Sequence, residues 1–391
     1  MMRDTMEQGT GKKVFVGLSG GVDSSVAAAR LIDAGYDVTG VFIKVWHPEW
    51  MVCNWEQERL DAMRVAAHLD IPFLTCDAVN TYRDDVANYF IESYKAGKTP
   101  NPDVLCNQYV KFGRFLEFAK ERGADFVATG HYARKVTETA PAELFADGLG
   151  ESGRFFPVEC VGVVGEANSS AGAVNRLCRG VDSNKDQTYF LWSLSNEQLA
   201  RALFPIGDTP KEEIRKEAEA QGIPVATKKD SQGICFLGHV DIAEFLSHYT
   251  ELVPGDVLDS NGAVVGTHHG ALVYTLGQRH GFDFTTVDSA RVPHYVIAKD
   301  IERNTITVDA TPPAISVNAT VTLSDTVVRQ PISIGDELQA QFRYRQKPFT
   351  VVVTGLSPLC LSVANTNEQP ASGQSCVLYD GEVCLGGGII D

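Results

Sequence analysis

A doubly wound parallel α/β sheet, followed by a small central mixed domain and a C-terminal β-barrel, is the fold class predicted by three features of the sequence. Strand-like and helix-like runs alternate from Lys13 to about Thr129. A glycine- and serine-rich loop sits where the first strand turns into the first helix, and after about Val253 the chain changes to short runs broken by glycine and proline. The expected divisions are 1–203 for the α/β unit (with 225–238 assigned to it as well), 204–305 for the central unit and 306–391 for the barrel. At 391 residues the chain is long enough for two or three such units, each with its own core.

In chain order, the expected strands of the first unit are Lys13 to Leu18, Val38 to Val45, Pro72 to Cys76 and Phe126 to Thr129. Between them, Ser24 to Ala34, Glu56 to Leu69, Thr81 to Ala96 and Tyr109 to Arg122 carry apolar residues at helical spacing. Ligands of a parallel sheet sit beyond the carboxyl ends of its strands, so Gly17 to Ser25 and Ala128 to Tyr132 are expected to face one ligand. The stretch from Val136 to Asn175 is rich in Gly, Ala, Glu and Ser and is expected to be a surface excursion, with a hairpin near Phe155 to Val164. Helices are expected over Asn196 to Phe204 and Lys211 to Gln221, the second with Thr209 as cap and Pro210 in its first turn. Strand-like runs follow at Gly262 to Gly266, Ala271 to Leu276, His294 to Lys299, Asn304 to Asp309 and Val317 to Leu323. Further runs, Glu337 to Tyr344, Thr350 to Gly355, Leu361 to Val363 and Gln374 to Tyr379, have the hairpin spacing of a small barrel.

Apolar content of 44% and charged content of 21% suit a globular protein, and no apolar run approaches a membrane span. The opening residues, MMRDTMEQGTGKK, have no apolar signal core, so a cytoplasmic location and no membrane partner are expected. Nine cysteines without CxxC pairing argue against a disulfide framework or a zinc knuckle. The net charge of −16 disfavours diffuse binding to nucleic acid. Recognition of an RNA would then need a local basic groove on an acidic body.

Gly17-Leu18-Ser19-Gly20-Gly21-Val22-Asp23-Ser24-Ser25 has the makings of a phosphate cradle. Its glycines let the backbone approach an anion, its serines donate, and the first turn of the following helix has unpaired N–H groups. It lacks the lysine of a Walker A loop and the GxGxxG of a dinucleotide fold. Asp23 is the expected magnesium ligand. Two cysteines stand out by their neighbours. Cys106 ends the proline-stiffened TPNPDVLC and is expected near a helix N-terminus, where thiolate is favoured. Cys235 lies in SQGICF after Lys228 and Lys229, whose charge would act likewise. Cys53, Cys76, Cys160, Cys178, Cys360, Cys376 and Cys384 are expected to be packing residues, with Cys76 in a strand core.

The loop resembles the PP-loop of ATP pyrophosphatases, which cleave ATP between its α and β phosphates. Over nearly its whole length the chain resembles the tRNA-specific 2-thiouridylase family: SGGVDSS, TPNPDVLCN, ATGHYAR, KDQTYFL, SQGICF, YTLGQRHG, FRYRQ and GQSCVLYDGEVCLGGGII occur in the right order. The resemblance implies a PP-loop, adenine nucleotide alpha-hydrolase-like first domain and a tRNA-binding central domain. It implies that ATP adenylates the 2-oxygen of the wobble uridine (position 34) in tRNAs for lysine, glutamate and glutamine. Sulfur would then arrive as a cysteine persulfide from a cysteine desulfurase or a sulfur-relay protein, with 2-thiouridine, AMP and pyrophosphate as products. By the same resemblance Cys235 carries the persulfide, Cys106 is the nucleophile, and the two form a disulfide during turnover. Gly17 to Ser24, Ile43 and Gly130 contact ATP; Asn101, Pro102 and Asp103 lie at the target base, with Asp103 as acid or base; His131, Lys185, Asp186, Gln187, Arg343, Tyr344 and Gln374 contact tRNA. Ile43 stands where the family has methionine. As bare sequence, Asp103 is equally a helix cap, and a histidine after a strand, such as His131, is more often structural.

Three alternatives remain open on the residues alone. A PP-loop synthetase acting on a small metabolite would need neither motif-embedded cysteine nor a C-terminal β domain. A tRNA-binding protein without catalysis would not need the intact loop. An iron–sulfur centre on Asp103, Cys106 and Cys235 would leave one position open, where common clusters use four cysteines.

Overall fold

The computed structural model describes residues 9, 11–51, 55–139, 173–229, 241–285, 292–313, 319–363 and 369–391. Its first sheet is wholly parallel, in the order β3 (Phe73–Asp77), β2 (Asp37–Lys44), β1 (Lys13–Gly17), β4 (Phe126–Ala128), β7 (Ala202–Leu203). Side chains of β1 alternate between its two faces. Phe15 enters one apolar cluster with Phe112, Phe115 and Trp192, while Val14 and Val16 enter the other with Val26, Leu31 and Ala62. The second cluster takes in α1 (Val22–Asp33) and α2 (Trp55–His68). Strand order reverses between β1 and β4, which places the ligand crevice of a doubly wound sheet beyond their carboxyl ends.

Three expectations along the stretch from Pro102 to Gln221 need correction. The helical run containing Cys106 starts earlier than its apolar spacing suggests: α3 (Pro102–Leu105) leads directly into π-helical turns over Cys106–Arg114 and then α4 (Phe115–Lys120). Asn101 caps it, accepting from the N–H groups of Asp103 and Val104. Asn196 to Phe204 is split: a helix, Asn196–Ala200, closes its N-terminus with a Ser195/Gln198 capping box, and Ala202–Leu203 then extends to cover the edge of β4. The Lys211–Ala220 helix forms as expected, but Pro210 rather than Thr209 is its N-cap, and Asp182 accepts from the Lys211 N–H.

The excursion begins and ends in a hairpin, β5 (Ala133–Thr139) with β6 (Ala173–Arg179); the hairpin expected near Phe155 to Val164 lies outside the described residues. Rather than projecting alone, β6 pairs with β18 (Val383–Ile390) of the C-terminal sheet.

The middle sheet has the order β10 (Phe282–Phe284), β9 (Val264–His268), β8 (Gly255–Leu258), β12 (Thr305–Asp309), β11 (Tyr295–Asp300), around Val257, Tyr274, Val296, Ile306 and Val308. Ala271 to Leu276 is not the expected strand: Gly270, at φ 134°, turns the chain into a single 3₁₀ turn, Ala271–Val273. The last unit is a closed antiparallel barrel of β13 (Ala319–Val328), β16 (Leu359–Val363), β15 (Phe349–Leu356), β14 (Glu337–Gln341), β17 (Ser375–Asp380) and β18, with β13 pairing β18 to complete it. Among the described residues no helix is long and apolar enough to cross a membrane.

Candidate active site

The loop after β1 is held from three sides. Ser24 Oγ accepts from the Ser19 N–H at 3.3 Å, lies 3.2 Å from Ser19 Oγ, and donates to the Gly21 carbonyl; Ser25 Oγ donates to the same carbonyl at 2.7 Å. Gly20 has φ 70°, and a Cβ there would lie 2.6 Å from the Glu58 carbonyl of α2. Gly21 caps α1 with no side-chain acceptor, so the first-turn N–H groups stay available to an anion. Gly130 follows β4 and lies so close to α1 that a Cβ would stand 2.7 Å from Asp23 C and Ser24 N. The two strand ends therefore meet, as ligand binding at the reversal requires.

Tyr132 of ATGHYAR and two lysines that no motif announces hold this arrangement. Asp23 Oδ1 accepts from Tyr132 Oη at 2.8 Å and from Lys211 Nζ at 2.6 Å. Lys228 Nζ donates to the Gly20 carbonyl at 3.0 Å and to Asp61 Oδ2 at 2.9 Å. Burial works against ionised Asp61, yet hydrogen bonds from Lys228 and Gln57 and the charges of Lys228 and Arg64 hold it below the usual carboxylate range. Lys228, expected to favour a thiolate at Cys235, is thus committed to the loop. The sequence signal for Lys211 was a helix start, which explains the residue without any ligand. A magnesium ion carried by the ATP phosphates needs only one or two protein carboxylates, and at Asp23 it would meet a carboxylate whose Oδ1 already accepts from Tyr132 and Lys211; among the described residues no group of three His, Cys, Asp or Glu side chains forms a metal site.

Ile43, at the end of β2, joins the loop to the cysteine segment. Its Cδ1 lies 3.5 Å from where a Gly17 Cβ would be, and it packs against the cluster containing Cys106, Tyr82, Phe90 and Val110. Cys106 is 1% exposed and lies one turn inside the helical run, its N–H bonded to the carbonyls of Pro102 and Asp103, so the helix terminus that was expected to favour its thiolate is spent on Asn101 instead. Cys235 lies outside the described residues, as do Cys53 and Cys160. Cys76 is fully buried on β3, and burial pushes its thiol up to about 11; Cys178, Cys376 and Cys384 are buried and Cys360 half-buried.

The segments singled out for RNA divide into two groups. His131 is buried between Phe112 and Phe204, with Nδ1 2.7 Å from Thr129 Oγ1, and burial followed by the charge of Lys111 drives its pKa well below the ordinary value. The structural reading of this histidine fits that placement, and the surface contact does not. Asp186 accepts from Arg179, the Gly180 N–H and Thr188, while Gln187 exchanges bonds with Tyr132 through its N–H and its side-chain oxygen. Both side chains are used in shaping the chain after β6. Arg343, Tyr344 and Gln374 lie on the barrel side of a seam: Arg343 donates to the Leu276 carbonyl at 2.6 Å, and Tyr344 lies 4.5 Å from the ring of Phe190. Asn101, Pro102 and Asp103 start the cysteine helix near the same place, since Tyr189 lies within hydrogen-bond reach of Asn101 and donates to the Phe342 and Ser375 carbonyls. Lys185 is half-buried in the turn that begins at Asp182.

Residues 12–239 match the family described as tRNA methyl transferase HUP domain, 243–310 the tRNA methyl transferase PRC-barrel domain and 320–390 the aminomethyltransferase beta-barrel domain. A tRNA-specific 2-thiouridylase of Bacillus subtilis is 40% identical over 97% of this chain and 95% of that protein. Those of Shewanella oneidensis (39% identical; 98% and 96%) and Akkermansia muciniphila (40%; 97% and 98%) are similar to the same extent. A solved complex of a 4-thiouridine synthetase with RNA and ATP covers 61% of this chain and 50% of its own, at 16% identity and a TM-score of 0.32, too loose a likeness to bear on function. With near-complete coverage at this identity, the chain belongs to the tRNA-specific 2-thiouridylase family.

Proposed function

We propose that this protein is a tRNA-uridine 2-sulfurtransferase that uses ATP to replace the 2-oxygen of the wobble uridine by sulfur in tRNAs for lysine, glutamate and glutamine. The observation that carries the reading is the position of Ile43, which touches both the phosphate loop and the Cys106 cluster and so separates activation from sulfur chemistry by one side chain. ATP lies on Gly17 to Ser24 with Ile43 and Gly130 beside it. The uracil oxygen attacks the α-phosphorus, and pyrophosphate leaves with the electrons of the α–β bridge. The N–H groups of α1 and the Lys211 ammonium stabilise that departing charge.

Asn101, Pro102 and Asp103 receive the base, and Asp103 handles its proton. The terminal sulfur of a persulfide on Cys235, loaded by a desulfurase or a sulfur-relay protein, attacks carbon 2, and AMP leaves with the oxygen. Cys106 thiolate then attacks the inner sulfur of Cys235, so the S–S bond breaks toward the nucleotide, leaving 2-thiouridine and a Cys106–Cys235 disulfide that an external dithiol reduces. Closure needs the two Cα atoms within about 4.4–6.8 Å. No step is assigned to magnesium or to an iron–sulfur cluster.

The test supplies purified protein with ATP, unmodified tRNA and a persulfide donor. Cys235→Ser is expected to abolish 2-thiouridine and AMP release while pyrophosphate still forms, and Cys106→Ser to abolish 2-thiouridine while both pyrophosphate and AMP still form. Lys211→Met is expected to lower pyrophosphate formation itself at least tenfold. Unchanged thiouridine in Cys235→Ser would remove the persulfide role, and an absence of tRNA-dependent AMP would leave a binding protein without catalysis.

A further inference from the structure

The three units of the fold meet at a cleft of about 280 Å³. Gly97 and Thr99 line it from the α/β unit, Leu276, Ile297 and Lys299 from the middle sheet, and Ala371 and Ser372 from the barrel. Its walls are tied together by polar contacts. The Thr99 N–H donates to the Ser372 carbonyl at 2.8 Å, Thr99 Oγ1 is 3.1 Å from Thr275 Oγ1, and Gly373 comes so close that a Cβ would stand 2.9 Å from Lys98 Cβ and Thr99 N. Leu276, on the rim, holds the Arg343 guanidinium through its carbonyl.

Lys299, on β11, is the charge in this cleft. Its Nζ donates to the Tyr274 carbonyl at 2.9 Å, and among the described residues no carboxylate pairs with it. Burial alone lowers its pKa from 10.5 to about 8, so the ammonium form persists at neutral pH without an ion-pair partner. An ammonium has three donors, and one is accounted for. A half-buried cation in a cleft that Thr99 and Ser372 also line, with room for a tetrahedral oxyanion and its waters, suits a phosphate better than a neutral ligand.

The position of the cleft says which phosphate. Thr99 is two residues, roughly 7 Å of chain at most, before Asn101 and the segment assigned to the target base. Ser372 is two residues before Gln374, and Arg343 stands at the rim. We infer that the cleft seats a backbone phosphate of the RNA strand next to the wobble nucleotide, with Lys299 as its cation. This rests on the tRNA reading above and adds an anion site within the seam between the three units. It also supplies a local cationic contact on a chain whose net charge is −16.

The experiment measures equilibrium binding of unmodified tRNA across a salt series for the wild-type protein, Lys299→Met and Lys299→Arg. A lost phosphate contact lowers the slope of log affinity against log salt by about 0.7–1. Lys299→Met is expected to weaken binding at low salt about tenfold and to lose that slope, while ATP binding stays as it was and Lys299→Arg keeps most of both. An unchanged slope in Lys299→Met, with or without weaker binding, overturns the inference and leaves Lys299 as a tie to the Tyr274 carbonyl. If Lys299→Met does not fold, amine acetylation of the wild-type protein read by mass spectrometry decides. Full-length tRNA is expected to protect Lys299 where inorganic phosphate at the same nucleotide-phosphate concentration does not. Equal protection by both makes the cleft a general phosphate site and overturns the RNA assignment, as does no protection by tRNA. If the wild-type protein binds no tRNA at all, the proposed function falls together with the inference.

Discussion

His131 carries a signature in pH that a surface contact would not. Its ring lies between Phe112 and Phe204, and burial holds its folded pKa well below 6.5. In the unfolded chain the ring protonates near 6.5, so below that pH the unfolded state binds more protons than the folded one. The stability contribution is therefore complete above about pH 7 and is lost as pH falls through 6.5, by up to about 1.4 kcal/mol per unit. Urea unfolding at pH 7.5 and 5.5 should show His131→Phe losing less stability on acidification than the wild-type protein. Parallel losses would show that the ring is open to solvent. The same residue shows what a motif hides. ATGHYAR marks the end of a strand at the ligand crevice, but nothing in those letters says whether the histidine points into water. Asp186 and Gln187 are alike in this, since their burial depends on Arg179 and Tyr132, placed beside them only by the fold. Lys211 and Lys228 are the converse case: 188 and 208 residues from their loop partners, they become site residues only when the chain closes.

At the scale of elements, the approach of β4 to α1 is the contact that assembles the crevice, and Gly130 is its narrowest point. A methyl group there would lie 2.7 Å from backbone atoms of Asp23 and Ser24, neither of which is a flexible side chain that can yield. Gly130→Ala must push the first turn of α1 away from β4 and misalign the N–H groups proposed to face the phosphates. ATP affinity is expected to fall at least tenfold, with a lower melting temperature, whereas Gly35→Ala, with nothing near its Cβ but a φ of 84°, should lower the melting temperature and leave ATP affinity unchanged. Calorimetric titration with ATP reads both, and wild-type affinity in Gly130→Ala would show that α1 is not held by this contact. The parallel strands around this crevice were legible because a strand buried on both faces is an unbroken apolar run. The helix from Pro102 was not, because Pro100 and Pro102 read as a turn while Asn101 and Pro102 in fact cap it and start it. Strand β18 was hidden by its glycines. Gly386 and Gly387 approach the Val327 and Cys376 carbonyls closer than any Cβ permits, which is how β18 closes the barrel between β13 and β17.

At the scale of the whole molecule, the question is whether the barrel is an attachment or part of the enzyme's body, and Arg329 decides it. This side chain is 6% exposed and donates to the Trp192 and Leu194 carbonyls of the α/β unit at 2.5 and 2.9 Å, and to the Cys384 carbonyl of β18 at 2.9 Å. Burial lowers its pKa, but a guanidinium stays charged in a protein, so the charge is kept in place by these carbonyls. Tyr189 adds a second tie through its bonds to Phe342 and Ser375, and the β5–β6 hairpin a third through β18. None of these could be read beforehand, because Arg329, Trp192 and Cys384 lie in stretches whose local patterns concern different units. Arg329→Met keeps the volume while leaving three buried carbonyls unpaired, a loss of about 3 kcal/mol or more at the seam. Differential scanning calorimetry is expected to give one transition for the wild-type protein and two for Arg329→Met, the barrel unfolding apart from the α/β unit because each keeps an apolar cluster of its own beside the shared one in which Val377, Tyr379 and Cys384 meet Phe15 and Trp192. Since Arg343 and Gln374 reach the seam only while the barrel is docked, tRNA affinity should fall in the same variant while ATP affinity, set by β1, β4 and α1, holds. A single unshifted transition would mean that the barrel is held by the hairpin and Tyr189, and that Arg329 adds little to the joint.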